Sequence, residues 1–185
     1  LASRARFVIA VEKDELLAEQ TARELAQQGV HNVRVITGDV LSLMPDLPRY
    51  DKIVANIPYY LTGRLLRRLF EMPDLPRTIV LMVQEEVARR VAAKPPQMNI
   101  LALSVQAYGT PKIITNVPAS CFSPQPKVDS TILKIADITQ DFFIQHNILP
   151  QDFFRVIRLG FSQKRKKLTN NLANKINKKD ITVLL

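Results

Sequence analysis

Strand-like apolar runs recur along the first 138 residues of this 185-residue chain. The clearest lies at 6–12, and its continuous apolar character suits a parallel strand that is buried on both faces. Runs of similar length predict five more strands, at 32–39, 50–58, 77–84, 111–118 and 127–135. The pattern therefore predicts a sheet of six strands.

Helical periodicity fills the intervals between these strands. Between residues 13 and 29 the apolar side chains share one helical stripe, and Gly29 is placed to end the helix. That stripe consists of Leu17, Ala18, Thr21, Ala22 and Leu25. Repeats at i, i+4 between Leu65 and Phe70 predict a second amphipathic helix, and shorter helices are predicted on either side of the breaker at 94–96. Strands that alternate with helices are typical of a doubly wound α/β sheet.

The pattern changes after about Ile138, where the chain becomes helical, basic and rich in asparagine. We therefore predict an α/β domain at 1–138 and a small all-helical domain at 139–185. The chain opens on Leu1 in the middle of a pattern and stops on an apolar run. We expect both domains to be partial, with truncation at the N-terminus and at the C-terminus.

Composition and charge narrow the possible functions. The net charge is +9, and residues 151–185 hold nine Lys/Arg against two Asp, which favours a polyanionic partner such as nucleic acid over a merely solubilising tail. No apolar run is long enough to span a membrane and no signal peptide is visible, so a cytoplasmic protein without a membrane partner is expected. Cys121, His31 and His146 show no metal-ligand spacing, so we expect no metal.

Polar side chains stand at three successive strand ends, where open α/β sheets bind their ligands. A carboxylate at Glu12 can accept hydrogen bonds from both hydroxyls of a ribose, and Asp39 can accept from an adenine amine. Taken singly, each acid reads more simply as a helix cap or a solvated turn residue. Together with Asn56 at the next strand end, they favour a ligand that contains adenosine.

The segment Asn56-Ile57-Pro58-Tyr59 can serve a reaction at an adenine amine. That nitrogen is a poor nucleophile. The Asn56 side-chain oxygen and the Ile57 carbonyl would activate it by accepting hydrogen bonds from its two N–H groups. Pro58 keeps Ile57 extended and presets the turn. The Tyr59 ring offers a face for an unstacked base, so Tyr59→Phe should be mild. The alternative is a turn whose aromatic rings pack inward.

A second aromatic side chain and several basic clusters complete the candidate RNA site. Phe122 precedes a proline-stiffened loop and would form the other wall of a base sandwich, whereas neighbouring Cys121 is interpreted as a bystander. The expected phosphate contacts, for which a solvated basic surface is the alternative, are Arg64, Arg67, Arg68, Lys127, Lys164, Arg165, Lys166 and Lys167, with Asn170 and Asn171 behind the last group.

Four motifs, NIPYYLTG, VLMVQEEVARR, CFSPQPKVDS and FFRVIRLGFSQKRKKLTNNL, follow one another in this order. In them the chain resembles the bacterial small-subunit rRNA adenine dimethyltransferases, the kasugamycin-sensitivity family. The resemblance implies a Rossmann-like methyltransferase sheet, with the catalytic domain at 1–138 and an RNA-binding domain at 139–185. It also implies S-adenosylmethionine as methyl donor, and double methylation of two adjacent adenines near the 3′ end of 16S rRNA in an immature 30S subunit. We expect the enzyme to be a monomer.

The resemblance also implies roles for individual residues. Glu12 would hold the donor's ribose, Asp39 and the Val40 backbone its adenine, while Asn56 would lie between donor and acceptor and Tyr59 and Phe122 would enclose the target base. The family's glycine-rich loop beneath the methionine half of the donor has no counterpart here. Two alternatives stay open: a large-subunit rRNA adenine methyltransferase of the macrolide-resistance type, and a non-catalytic RNA-binding or ribosome-assembly protein.

Overall fold

The computed structural model of the chain describes residues 1–163 and 166–172. It divides into two compact units, Leu1–Arg49 and Tyr50–Leu185. The predicted α/β class is confirmed, because parallel strands alternate with helices in both units. The domain boundary predicted near residue 138 stays a prediction. It rests on a change in composition and helical periodicity, whereas the two compact units meet at residues 49 and 50.

The first unit is a two-stranded parallel sheet with a crossover helix. Strand β1 (Val8–Glu12) pairs with β2 (Val33–Thr37), and helix α1 (Glu15–Gln27) connects them. The Asp14 side chain caps α1 by accepting from the Leu17 N–H at 3.0 Å. Gly29, with a φ of +67°, follows the helix as predicted. A short helix, α2 (Val40–Leu43), begins directly after β2.

Two expectations for this unit need correction. All five residues of β1 are half-buried rather than buried on both faces, because among the described residues β1 pairs only with β2. On α1 only Ala18 is buried; Thr21 and Leu25 are half-buried, and Leu17 remains 49% exposed. The inward stripe is therefore narrower than the spacing alone predicts.

The second unit contains a four-stranded mixed sheet in the order β3-β4-β6-β5. Its strands are β3 (Lys52–Asn56), β4 (Thr78–Gln84), β5 (Thr110–Val117) and β6 (Ser130–Ala136). Helix α3 (Thr62–Phe70) joins the parallel pair β3 and β4. Helices α4 (Glu85–Val91) and α5 (Ile100–Gln106) lie between β4 and β5. Strands β5 and β6 are antiparallel because no crossover helix separates them.

The core of this unit lies on one face of its sheet. Ile79 and Leu81 of β4 stand opposite Ile135 and Leu133 of β6, and all four are completely buried. Burial of each such side chain contributes about 1.5–3 kcal/mol. Helix α4 contacts β4, β5 and β6, and its Ala88 and Val91 are fully buried. On the opposite face Val54 is 51% exposed, so β3 is amphipathic rather than buried throughout.

Three helices follow β6 in the described part of the chain: α6 (Asp141–Gln145), α7 (Pro150–Gly160) and α8 (Leu168–Leu172). Aromatic rings connect α6 and α7 to the end of α3. Phe70 stacks on Tyr108 at 4.6 Å, and Tyr108 lies 4.9 Å from Phe143 and 6.3 Å from Phe154. We call Phe70, Tyr108, Phe143, Phe153 and Phe154 the aromatic row. Burial raises the pKa of the Tyr108 phenol, and the charge of Glu71 adds to the rise.

Candidate active site

Glu12 and Asp39 lie together at the carboxyl edge of the β1–β2 sheet. Glu12 is paired with Thr37 in the ladder, and its carbonyl accepts from the Gly38 N–H at 2.8 Å. The Glu12 Oε1 atom accepts from the N–H groups of Lys13 and Asp14 at 2.7 and 2.9 Å. These bonds hold the carboxylate over the turn and leave Oε2 for another donor.

Asp39 caps helix α2, and Lys13 lies beside it. Its Oδ1 accepts from the Leu41 N–H at 2.9 Å, and its Oδ2 lies 3.6 Å from the Lys13 ammonium. The capping interpretation of Asp39 is therefore correct in the structure, and it is compatible with a ligand at the second oxygen. Val40 follows in the first turn of α2, where helices leave N–H groups without an intrahelical partner.

Gly38 is required at the turn between β2 and Asp39. Its φ is +151°, and a Cβ atom placed there would lie 2.7 Å from the Leu43 Cδ1 atom. The backbone conformation therefore strains any residue with a side chain, whereas the flexible end of Leu43 could move aside. The glycine lets the chain turn sharply enough for Asp39 to begin α2.

Asn56 ends β3 and is followed by a tight turn. Its side chain is exposed, and no hydrogen bond among the described residues involves its amide group. Pro58 has a φ of −52° and a ψ of 133°, and its carbonyl accepts from the Leu61 N–H at 2.9 Å. The turn thus leaves the Asn56 amide available at the carboxyl end of a strand.

Tyr59 is tied by its hydroxyl to the start of β6. Its Oη lies 2.6 Å from the Oγ of Ser130, and Ser130 is completely buried. The sequence predicts only a stacking role for the ring, in which the hydroxyl is dispensable, and does not indicate Ser130 as a partner. No local pattern could identify this partner, because the two residues are 71 positions apart.

Phe122 is half-buried and follows a short 3-10 turn, Ala119–Cys121. The Asp129 Oδ1 atom accepts from the Ala119 N–H at 2.8 Å and closes the loop that carries Phe122. Lys127 and Cys121 are both exposed on this loop. The loop that carries Phe122 is therefore closed by a carboxylate that the sequence did not mark as functional.

Apart from Lys127, the candidate phosphate contacts fall in two places in the second unit. Arg64, Arg67 and Arg68 are exposed on α3, although Arg67 forms an ion pair with Glu71 at 2.8 Å. Lys166 and Lys167 are exposed just before α8, while Lys164 and Arg165 lie outside the described residues. No helix in 1–163 or 166–172 is long and apolar enough to span a membrane. Within the same ranges no three His, Cys, Asp or Glu residues cluster as metal ligands.

Comparison with known proteins assigns the chain to a family. A family model described as ribosomal RNA adenine dimethylase matches residues 1–184. The chain belongs to this family. The membership confirms the resemblance carried by the four motifs.

Members with curated names cover nearly the whole chain. A protein from Dehalococcoides mccartyi, strain CBDB1, is 40% identical over 179 residues, which are 94% of this chain and 60% of that protein. One from Prochlorococcus marinus is 37% identical over 191 residues, or 96% of this chain and 64% of that protein. Both are named ribosomal RNA small subunit methyltransferase A. The chain spans about 60% of the length of the first of these.

Solved structures show the same fold. A dimethyladenosine transferase from Plasmodium falciparum superimposes with a TM-score of 0.81 at 29% identity, over 91% of this chain and 60% of that one. The 23S rRNA methyltransferase ErmE superimposes with a TM-score of 0.78 at 24% identity, over 99% of this chain and 72% of that one. The predicted Rossmann-like methyltransferase fold is thereby confirmed.

In this family member, Asn171 holds two helices together. Its Nδ2 donates to the carbonyls of Gly160 at 2.6 Å and Gln163 at 3.1 Å, and the residue is 8% exposed. The two carbonyls belong to the last turn of α7 and the residues just after it, which have no intrahelical donors. Asn171 therefore caps α7. Its amide nitrogen is engaged by the two carbonyls and is not free to support a phosphate contact, which is the role that the sequence suggested.

Replacing Asn171 by Asp should destabilise this helical segment without a large change in side-chain volume. A carboxylate cannot donate to the two carbonyls and would face them with a negative charge, at a cost of about 1–3 kcal/mol. Urea unfolding measured by circular dichroism would detect the loss. The control is Asn170→Asp, which adds the same charge at an exposed neighbour. Equal unfolding midpoints for the two variants would contradict the capping role.

Proposed function

We propose that the protein transfers methyl groups from S-adenosylmethionine to the exocyclic amines of two adjacent adenines near the 3′ end of 16S rRNA, dimethylating each. The observation that carries this proposal is the exposed, uncommitted amide of Asn56 at a strand end, followed by the Pro58 turn, in a member of the rRNA adenine dimethylase family. The substrate would be the RNA of an immature 30S subunit. The enzyme would act on it in the cytoplasm as a monomer.

The residues of the first unit fit the adenosine half of the donor. The free Oε2 of Glu12 can accept from ribose hydroxyls, since Oε1 is already held by two backbone N–H groups. Asp39 can accept from the adenine amine through Oδ2, and the Val40 N–H can donate to a ring nitrogen. When bound, S-adenosylmethionine would supply an electrophilic methyl group on a sulfonium.

The residues of the second unit would activate the acceptor. The lone pair of an adenine amine is delocalised into the ring, which makes the nitrogen a weak nucleophile. The Asn56 oxygen and the Ile57 carbonyl would accept hydrogen bonds from its two N–H groups and direct the lone pair toward the methyl group. This arrangement stabilises the transition state more than the bound substrate, as catalysis requires.

The aromatic side chains would hold the base out of its stack. Tyr59 and Phe122 are both half-buried, so each residue remains partly accessible. Stacking on such a ring contributes about 1–3 kcal/mol per base, which offsets the cost of unstacking. Arg64, Arg68, Lys127 and the basic segment 164–167 would contact the phosphates on either side.

The full-length protein, tritiated S-adenosylmethionine and 30S particles that lack the modification provide the test. We expect label in the 16S rRNA only, and mass spectrometry of its 3′ fragment should locate dimethyladenosine at two adjacent positions. A 23S rRNA fragment is the control. Label in the 23S fragment would favour the large-subunit alternative. RNA binding without transfer to either substrate would favour a non-catalytic assembly protein.

A further inference from the structure

We propose that Ser130 and Asp129 are positioning residues that fix the two aromatic walls of the base site relative to each other. The inference rests on the proposed function, because it assigns Tyr59 and Phe122 to the target base. It goes beyond that function by naming two consecutive residues, neither of which would touch the base, that determine where the walls stand.

The first contact fixes the Tyr59 ring at its far end. Its hydroxyl lies 2.6 Å from Ser130 Oγ, so the bond restricts the swing of the ring about the Cα–Cβ bond. Ser130 is a rigid point of attachment, because it is completely buried and pairs with Gln84 on one side and Val117 on the other. The ring position is thus set by the central part of the sheet.

The second contact fixes the base of the Phe122 loop. The Asp129 carboxylate accepts from the Ala119 N–H at 2.8 Å, and Ala119 begins the 3-10 turn that leads to Phe122. The Asp129 carbonyl in turn accepts from the Glu85 N–H at 3.1 Å, which ties the same residue to the start of α4. The backbone of Asp129 is therefore itself anchored to α4, which gives its carboxylate a fixed position.

Because Asp129 and Ser130 are adjacent in the chain, the two walls share one reference point. A shift of either contact would change the space between the rings, and a misplaced base reacts slowly even when it is bound. Phosphate contacts dominate the affinity for RNA. The loss of either contact should therefore appear in kcat rather than in KM for the RNA.

A double-mutant cycle on Tyr59 and Ser130 tests the first contact. Tyr59→Phe and Ser130→Ala remove the same hydrogen bond from opposite ends, so each should lower kcat about fivefold and the double variant by about the same fivefold. KM for RNA and the affinity for S-adenosylmethionine should change less than about twofold. Effects that multiply, or a fully active Ser130→Ala, would overturn the proposal. Tyr59→Phe alone decides the matter if Ser130→Ala does not fold.

The neighbouring residue Thr131 provides a matched control. It is equally buried, and its hydroxyl donates to the Asn116 side chain at 3.0 Å rather than to Tyr59. Thr131→Val also removes one buried hydroxyl from β6, so it should resemble the other variants in stability but keep the wild-type kcat. A loss of kcat equal to that of Ser130→Ala would assign the effect to general packing and overturn the proposal.

Asp129 is tested by rescue. Asp129→Ala should lower kcat about fivefold, whereas Asp129→Asn keeps an oxygen that can accept from Ala119 and should restore most of it. Equal losses in the two variants would show that the carboxylate acts in another way. Failure of the proposed function is distinguishable, because then the wild-type protein itself would not methylate 16S rRNA.

Discussion

Replacing Asn56 by Ala should abolish methyl transfer while leaving the affinity for S-adenosylmethionine almost unchanged. The side chain would act on the amine in the transition state, where loss of one such polar contact costs about 10²–10³-fold in kcat. Asn56 lies at the carboxyl end of β3 with an exposed side chain, so the variant should fold normally. Single-turnover transfer to 30S particles and isothermal titration with the donor would measure the two effects separately.

Asn56→Gln is the companion variant. It keeps the amide but moves it outward by one methylene, so it should be nearly as inactive as Asn56→Ala if placement of the oxygen is what matters. Full activity in the Ala variant would exclude the proposed role of Asn56. High activity in the Gln variant alone would mean that the amide is needed but its position is not.

Replacing Lys164, Arg165, Lys166 and Lys167 together by Ala should give the largest loss of RNA affinity. Binding of RNA releases counterions in proportion to the phosphates that are neutralised, so the slope of log affinity against log salt should fall by up to about three. Donor affinity should be unaffected. Filter binding of a 16S rRNA fragment at several salt concentrations provides the measurement.

A second quadruple variant separates local contacts from net charge. The control replaces four exposed arginines of the first unit by Ala: Arg4, Arg6, Arg23 and Arg34. It removes the same number of positive charges as the first variant. This control should keep most of the salt slope. If both variants lower the slope equally, only the overall charge matters, and the segment 164–167 would be a solvated basic tail.

Much of the fold follows from the sequence because its strands and helices are locally consistent. All six predicted strands are present. Five of them are one to four residues shorter than their apolar runs, since flanking residues extend the run without joining the ladder, and β5 has the predicted length but begins one residue earlier. Partner order is not local information. The antiparallel pairing of β6 with both β4 and β5 depends on connections that periodicity does not describe.

The candidate site likewise contains residues that a local sequence pattern indicates and residues that only the folded chain reveals. Asn56, Pro58 and Tyr59 are recognisable because their chemistry and spacing are contiguous. The bond between Ser130 and Tyr59 joins residues 71 positions apart, and Asn171 reaches back 11 positions to Gly160; neither spacing corresponds to a local sequence pattern. A sequence shows which groups can react, whereas the folded chain determines which groups hold them in place.

The aromatic row also sets a length. Helix α3 begins just after Tyr59 and ends at Phe70, the ring that stacks on Tyr108, and the row continues through Phe143 to α7. Asn171 then fastens α8, and with it the exposed Lys167, to the end of α7. A continuous series of packed residues therefore links the turn that would receive a base with the segment that would contact a phosphate. Loss of one of these contacts would therefore change the spacing between the two places, and with it which adenines along an RNA strand come within reach.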